Sequence, residues 1–195
     1  MYINWEGPLI TINPEHGTDL QFQGNPPKGI KVPNYGNFGG PLISGEGGGP
    51  VDSLDELFQS HDAEILKASQ DAGGLTPQEL VHAHAVLFEG IDDLPINKDG
   101  LLLGDPEATL YAGFTLFALT ASVMQLDELD GPNDLLDQFD AQLQLAPGAL
   151  DDVSAALTKA AQYMEIGLEA VPSNESKGLN GLFHIWEHQF DDFIA

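Results

Sequence analysis

From Asp52 onward, apolar residues recur at the spacing of one helix face. Leu54, Leu57, Phe58, Ile65 and Ala68 predict a first helix over 52–70, with Asp52 placed to cap its start. Gly73 and Gly74 end that pattern. Thr76-Pro77-Gln78-Glu79 opens a second helix that runs to about Phe88, with Thr as the cap, Pro in the first helical position and an acid in the first turn. A turn-rich connector, 90–104, follows. Asp105-Pro106-Glu107 repeats the cap-Pro-acid signal and opens the most apolar helix, 108–126, whose near lack of charge marks it as central. Two more helices are expected over 132–144 and 149–170. A last amphipathic segment, 179–194, carries Phe183, Trp186, Phe190 and Phe193 at helical spacing and reads as core rather than lipid anchor. Residues 1–50 differ: Gly and Pro punctuate them and no 3.6-residue repeat runs through, so looped or extended backbone is expected, with short strands such as Leu9–Ile12. The class is mainly α: a single-domain helical bundle over 1–195, with a Gly/Pro-rich loop region to residue 50 and helices from 51 onward.

Composition narrows the partners. A chain of 195 residues, 42% hydrophobic, can bury its own core. Against 31 Asp and Glu stand six Lys and no Arg, a formal charge of −25. That excess excludes a nucleic-acid partner, repels strongly anionic lipid surfaces and attracts divalent cations. The absence of Cys removes disulfides and thiolate metal sites. Residues 1–20 hold no Lys or Arg before an apolar run, so they do not read as a Sec-type leader. No transmembrane segment is expected: the apolar helix 108–126 is bounded by Asp105, Glu107, Gln125 and Asp127.

The chemistry concentrates between Tyr35 and Asp62. On the first helix, the rows Leu54/Phe58/Asp62 and Leu57/His61/Ile65 step by four, which sets His61 and Asp62 on the side of the apolar seam. Desolvating an imidazole and a carboxylate is costly unless they are hydrogen-bonded or a cation neutralises the acid, so the pair is a functional candidate. The Gly-rich segment before it can turn several backbone carbonyls toward one point, and Asp62 can add a carboxylate, an oxygen set that suits Ca2+ rather than zinc. Other motifs carry less. His82 and His84, two apart on a helix, point to different faces. Asn97-Lys98-Asp99-Gly100 looks like the middle of an EF-hand loop, but Pro95 and Pro106 occupy its first and last ligand positions. The glycines of 45–50 lack the Lys-Ser/Thr that a phosphate-binding loop needs.

Taken in order, Tyr35-Gly36, Gly39-Gly40, Pro50, Asp52-x-x-Asp55 and His61-Asp62 resemble the calcium loop and catalytic helix of the secreted-type phospholipase A2 superfamily. The resemblance covers 35–62 and implies an antiparallel helix pair and calcium-dependent hydrolysis of the sn-2 ester of glycerophospholipids. By that match His61 is the general base. Asp62 and the carbonyls of Phe38, Gly40 and Leu42 hold Ca2+, and the Gly40 N–H faces the oxyanion. In the family a second carboxylate orients the base; the residue expected here is Asp105, with Glu107 or Asp99 as alternatives. Phospholipid is then the substrate, reached by peripheral membrane contact. The chain departs from the family where Asn37, Gly39, Leu57 and Phe58 stand in place of Cys and Ile65 in place of Tyr, and the interval from Gly40 to His61 is longer. The ending Asp191-Asp192-Phe193-Ile194-Ala195 resembles the terminal signal of bacterial type I export, which implies secretion, with the cytoplasm as the alternative. A catalytically silent calcium-binding or interaction module on the same scaffold is the alternative function.

Overall fold

The computed structural model describes residues 3–4, 9–10, 30–31, 34–40, 48–70, 73–130, 134–143 and 152–171. The expected segment 179–194, the terminal residues 191–195 and Leu42 lie outside the described residues. Among the described residues the chain is mainly helical. Four two-residue strands, β1 (Ile3–Asn4), β2 (Leu9–Ile10), β3 (Ile30–Lys31) and β4 (Asn34–Tyr35), precede five helices. These are α1 (Ser53–Ser69), α2 (Pro77–Asp92), α3 (Pro106–Asp130), α4 (Leu135–Gln142) and α5 (Asp152–Ala170). The strands form two antiparallel pairs: β1 with β4, Ile3 opposite Tyr35, and β2 with β3, Leu9 opposite Lys31.

The helix starts follow the expected chemistry. Asp52 is extended and its carboxylate accepts the Asp55 N–H at 2.9 Å, which begins α1 one residue beyond the cap. Thr76 and Glu79 form a reciprocal capping box, with Pro77 inside the first turn. Their hydrogen bonds hold the Glu79 carboxyl below the usual carboxylate range. The helix ends follow less closely. α2 continues past Phe88 through Gly90 to Asp92. Gly90 does not break the helix because its missing Cβ serves a crossing: a Cβ there would lie 2.7 Å from Cδ2 of Leu57 on α1. α4 is shorter than 132–144, and the Asp127 carboxylate receives the Leu136 N–H at its first turn.

Helix directions can be read from paired residues. Along α1 and α2, Leu57 meets Gly90, His61 meets His84 and Glu64 meets His82, so the two helices run antiparallel. Along α3 and α5, Leu110 meets Gly167 and Gly113 meets Ala160 and Met164, again antiparallel. Here the backbones nearly touch: a Cβ on Gly113 would lie 2.7 Å from the Met164 backbone nitrogen, and one on Gly167 would lie 2.6 Å from that of Leu110. The hydrophobic core joins both pairs through Phe58, Phe88, Ile91, Leu110, Leu116 and Phe139. A Lys159 to Asp92 ion pair ties α5 to the end of α2, and partial burial pushes the Lys159 ammonium below its ordinary range. By length and composition 106–128 is long and apolar enough to cross a membrane; 50% of its most apolar window is buried inside the protein.

Candidate functional site

The loop 34–40 is fastened to the start of α1 by carboxylates. Asp55, wholly buried, accepts the backbone N–H groups of Phe38 at 2.7 Å, Asn37 at 2.9 Å and Val51 at 2.9 Å. Three donors on one anion offset much of the cost of burying it, as do the unpaired amides at the helix N-terminus. Asp52 receives the hydroxyl of Tyr35, and that ring stacks on Tyr111 of α3 at 5.3 Å. Gly36 makes the close approach possible: its φ is +57°, and a Cβ would sit 2.5 Å from Oδ2 of Asp55. Tyr35 and Gly39 exchange backbone hydrogen bonds of 2.6 and 2.8 Å. Asn37 Nδ2 donates to the Gly49 carbonyl at 2.7 Å, closing the far side of the arc.

With the N–H groups of Asn37 and Phe38 turned toward Asp55, no hydrogen bond among the described residues uses the carbonyls of Phe38 or Gly40. Beside Gly40, Oδ1 of Asn34 is buried and without a hydrogen-bond partner among the described residues. Gly39 rests on Phe58, where a Cβ would lie 2.7 Å from the ring. Asp62 follows Phe58 by one turn on the same row, about 6 Å along the axis.

His61 stands on the neighbouring row, its side chain 14% exposed. Its Nδ1 lies 3.5 Å from Oδ1 of Asp62, and its Nε2 lies 3.1 Å from Nδ1 of His84. Asp62 is less sheltered than the seam position suggests, at 48% exposure, because it sits on the rim of the α1 face that His61 shares with α2. Nε2 of His84 in turn lies 3.3 Å from Oγ of Ser122 on α3. Burial, with His61 adding to it, pushes the His84 imidazole down to about 3, so the ring is neutral across the physiological range. Tyr111, beneath the loop, is pushed up by burial and by the charges of Asp55 and Asp62.

Of the residues expected at the site, His61 and Asp62 are adjacent, and Phe38 and Gly40 are held on the loop that abuts α1. Asp105 stands apart in its bonding. Its carboxylate accepts the Glu107 N–H at 2.8 Å, its carbonyl accepts from Thr109, and it serves as a cap for α3. Glu107 takes the Ile3 N–H at 3.2 Å, and the Asp99 N–H goes to Asn97 Oδ1 at 2.8 Å within a tight turn.

Three residues carry more than the sequence reading gave them. Asp55 was a motif member without a task; an acid in the first turn of a helix, just after a Gly-rich segment, is its signal. His84 was weighed only against His82, which is exposed and bonded to Gln142 at 2.6 Å. Its own row, with Val81, Phe88 and Ile91 at three- and four-residue steps, marks it as inward-facing. Ser122 had no signal beyond lying on the apolar helix. Among the described residues no group of three or more His, Asp or Glu side chains converges as a metal site, so a cation here would draw mainly on backbone oxygen. No family model, curated protein or solved structure matches the chain.

Proposed function

We propose that the chain is a calcium-dependent esterase of the phospholipase A2 kind, acting on the sn-2 ester of glycerophospholipids. The observation that carries this reading is the Asp55 carboxylate, which draws in the loop amides and leaves the Phe38 and Gly40 carbonyls without a hydrogen bond among the described residues, beside the His61-Asp62 helix. The antiparallel pairing of α1 with α2 supports it. The donor set fits a hard cation: two carbonyls and the Asn34 oxygen next to Gly40, all without a hydrogen bond among the described residues, and a half-exposed carboxylate. Phe38, Gly40, Asp62 and, outside the described residues, Leu42 would hold it. When bound, Ca2+ supplies positive charge that polarises the ester carbonyl.

The chain's own groups account for the remaining chemistry. His61 Nδ1, on the Asp62 side of the ring, accepts a proton from water as the water oxygen attacks the carbonyl carbon. The Gly40 N–H donates to the carbonyl oxygen as it gains charge. The proton then passes from His61 to the departing alcohol oxygen, leaving fatty acid and lysophospholipid.

Fatty-acid release should be lost in chelator and restored by calcium. It should fall on the order of 100-fold or more in His61→Gln and be abolished in Asp62→Ala. Equal release from all samples overturns the reading. A silent calcium-binding module is the second reading, favoured by the neutral His84 that meets His61 where the family has a carboxylate. Calorimetric calcium binding without release from any phospholipid tried would select it.

A further inference from the structure

His61, His84 and Ser122 form a continuous line of polar contacts. The two imidazoles have ring centroids 5.3 Å apart and planes 21° from parallel, with Nε2 of His61 and Nδ1 of His84 3.1 Å apart. That centroid distance is about what the nitrogen gap plus two ring radii give, so the rings meet end-on and nearly coplanar. This is hydrogen-bond geometry rather than face-to-face contact. His84 is 7% exposed and continues to Ser122. Ser122 also differs from its helix neighbours. Thr109, Thr115 and Thr120 on α3 each return their hydroxyl to the carbonyl four residues back. The contact shown for Ser122 Oγ is instead His84, on another helix. Three helices therefore each contribute one member of a single polar line.

A neutral imidazole offers one donor and one acceptor, so the state of each link fixes the next. We propose that His84 is the positioning residue for His61. Nε2–H of His61 donates to Nδ1 of His84 and Nε2–H of His84 donates to Ser122 Oγ, which keeps the lone pair of His61 on Nδ1, the nitrogen that faces Oδ1 of Asp62 at 3.5 Å. The line replaces an orienting carboxylate with a neutral acceptor: it sets ring angle and tautomer without adding negative charge. Among the described residues the groups in polar contact with His84 are His61 from α1 and Ser122 from α3, and neither is a carboxylate or an ammonium. The inference deepens the esterase reading and rests on it for its catalytic meaning, while the tautomer itself is measurable without turnover.

The test is nitrogen-15 NMR of the full chain at about pH 8, with His61 assigned through His61→Gln, alongside kcat and KM for fatty-acid release. In the wild type, His61 should read as the Nε2–H tautomer. In His84→Leu it should become a mixture, with kcat down on the order of 10- to 100-fold and KM within about twofold. His84→Asp, which restores an acceptor, should recover most of kcat. Should His84→Leu fail to fold, Ser122→Ala, which removes one hydroxyl, should shift the His61 tautomer part of the way. An Nδ1–H tautomer in the wild type, or a tautomer and kcat unchanged in these variants, overturns the proposal. The expected tautomers without fatty-acid release from any lipid would uphold the relay and overturn the esterase reading instead.

Discussion

The α3–α5 pair and the α1–α2 pair are both antiparallel, yet they hold together by opposite means. Between α3 and α5 the contact is backbone on backbone, made by Gly113, Gly167 and Ala160. Between α1 and α2 the contact is polar at its centre, with His61 against His84. Just N-terminal to it, Asp55 and Asp52 fasten a loop that has almost no regular structure of its own. Close packing is cheap to maintain and indifferent to pH, because it involves only dispersion and apolar burial. Buried polar groups add little net stability, but they fix one arrangement and are costly when a partner is lost. The molecule thus separates a pair that supplies stability from a pair that supplies placement.

The largest effect expected from that division is at the close-packed pair. Gly167→Val should cost about 3 kcal/mol or more by overpacking. That lowers Tm by roughly 6 °C or more, at 2–4 °C per kcal/mol for a chain of this size. An unchanged melting curve would mean that the backbones are not in contact. Asp55→Ala comes next: it strands three loop amides and should cost about 2–4 kcal/mol in urea unfolding, together with loss of calcium affinity. If affinity survives that loss of stability, the loop is not held by Asp55.

A third measurement separates the pairs by pH. His84 is pushed from 6.5 down to about 3 in the folded protein, so between those values the unfolded chain binds the extra proton. Its contribution is fully present above pH 6.5 and is lost as pH falls, by about 1.4 kcal/mol per unit. The stability of wild type minus His84→Gln should therefore drop by about 2 kcal/mol between pH 7 and pH 5. The corresponding difference for Gly167→Val should stay flat. Last, Thr76→Ala should cost about 1 kcal/mol through the lost cap of α2, with no change in fatty-acid release; a loss of release would tie the cap to the site.

Much of the helical frame was legible because its signals are local. Asp52, Thr76 and Pro77 mark starts through bonds made within one turn, and those starts appear within a residue or two of expectation. Gly90 misled because a glycine serves equally as a breaker or as a place for another helix, and only the position of Leu57 decides between them. In the site, the His61-Asp62 step was readable from one helix alone. The partner of His61 was not, since only the crossing of α1 with α2 brings His84 to it. Asp55 lay within the recognised pattern, but its task depends on loop amides up to 18 residues earlier in sequence.

That reach has a kinetic consequence. Freeing residues 37 and 38 from the helix would leave the buried Asp55 side chain with the Val51 N–H alone of its three loop donors. Residues 37 and 38 and the first turn of α1 therefore open together, as one cooperative unit. Amide protons at Asn37, Phe38 and Val51 should exchange with solvent at the slow pace of the adjoining helix, although the chain there is neither helix nor sheet.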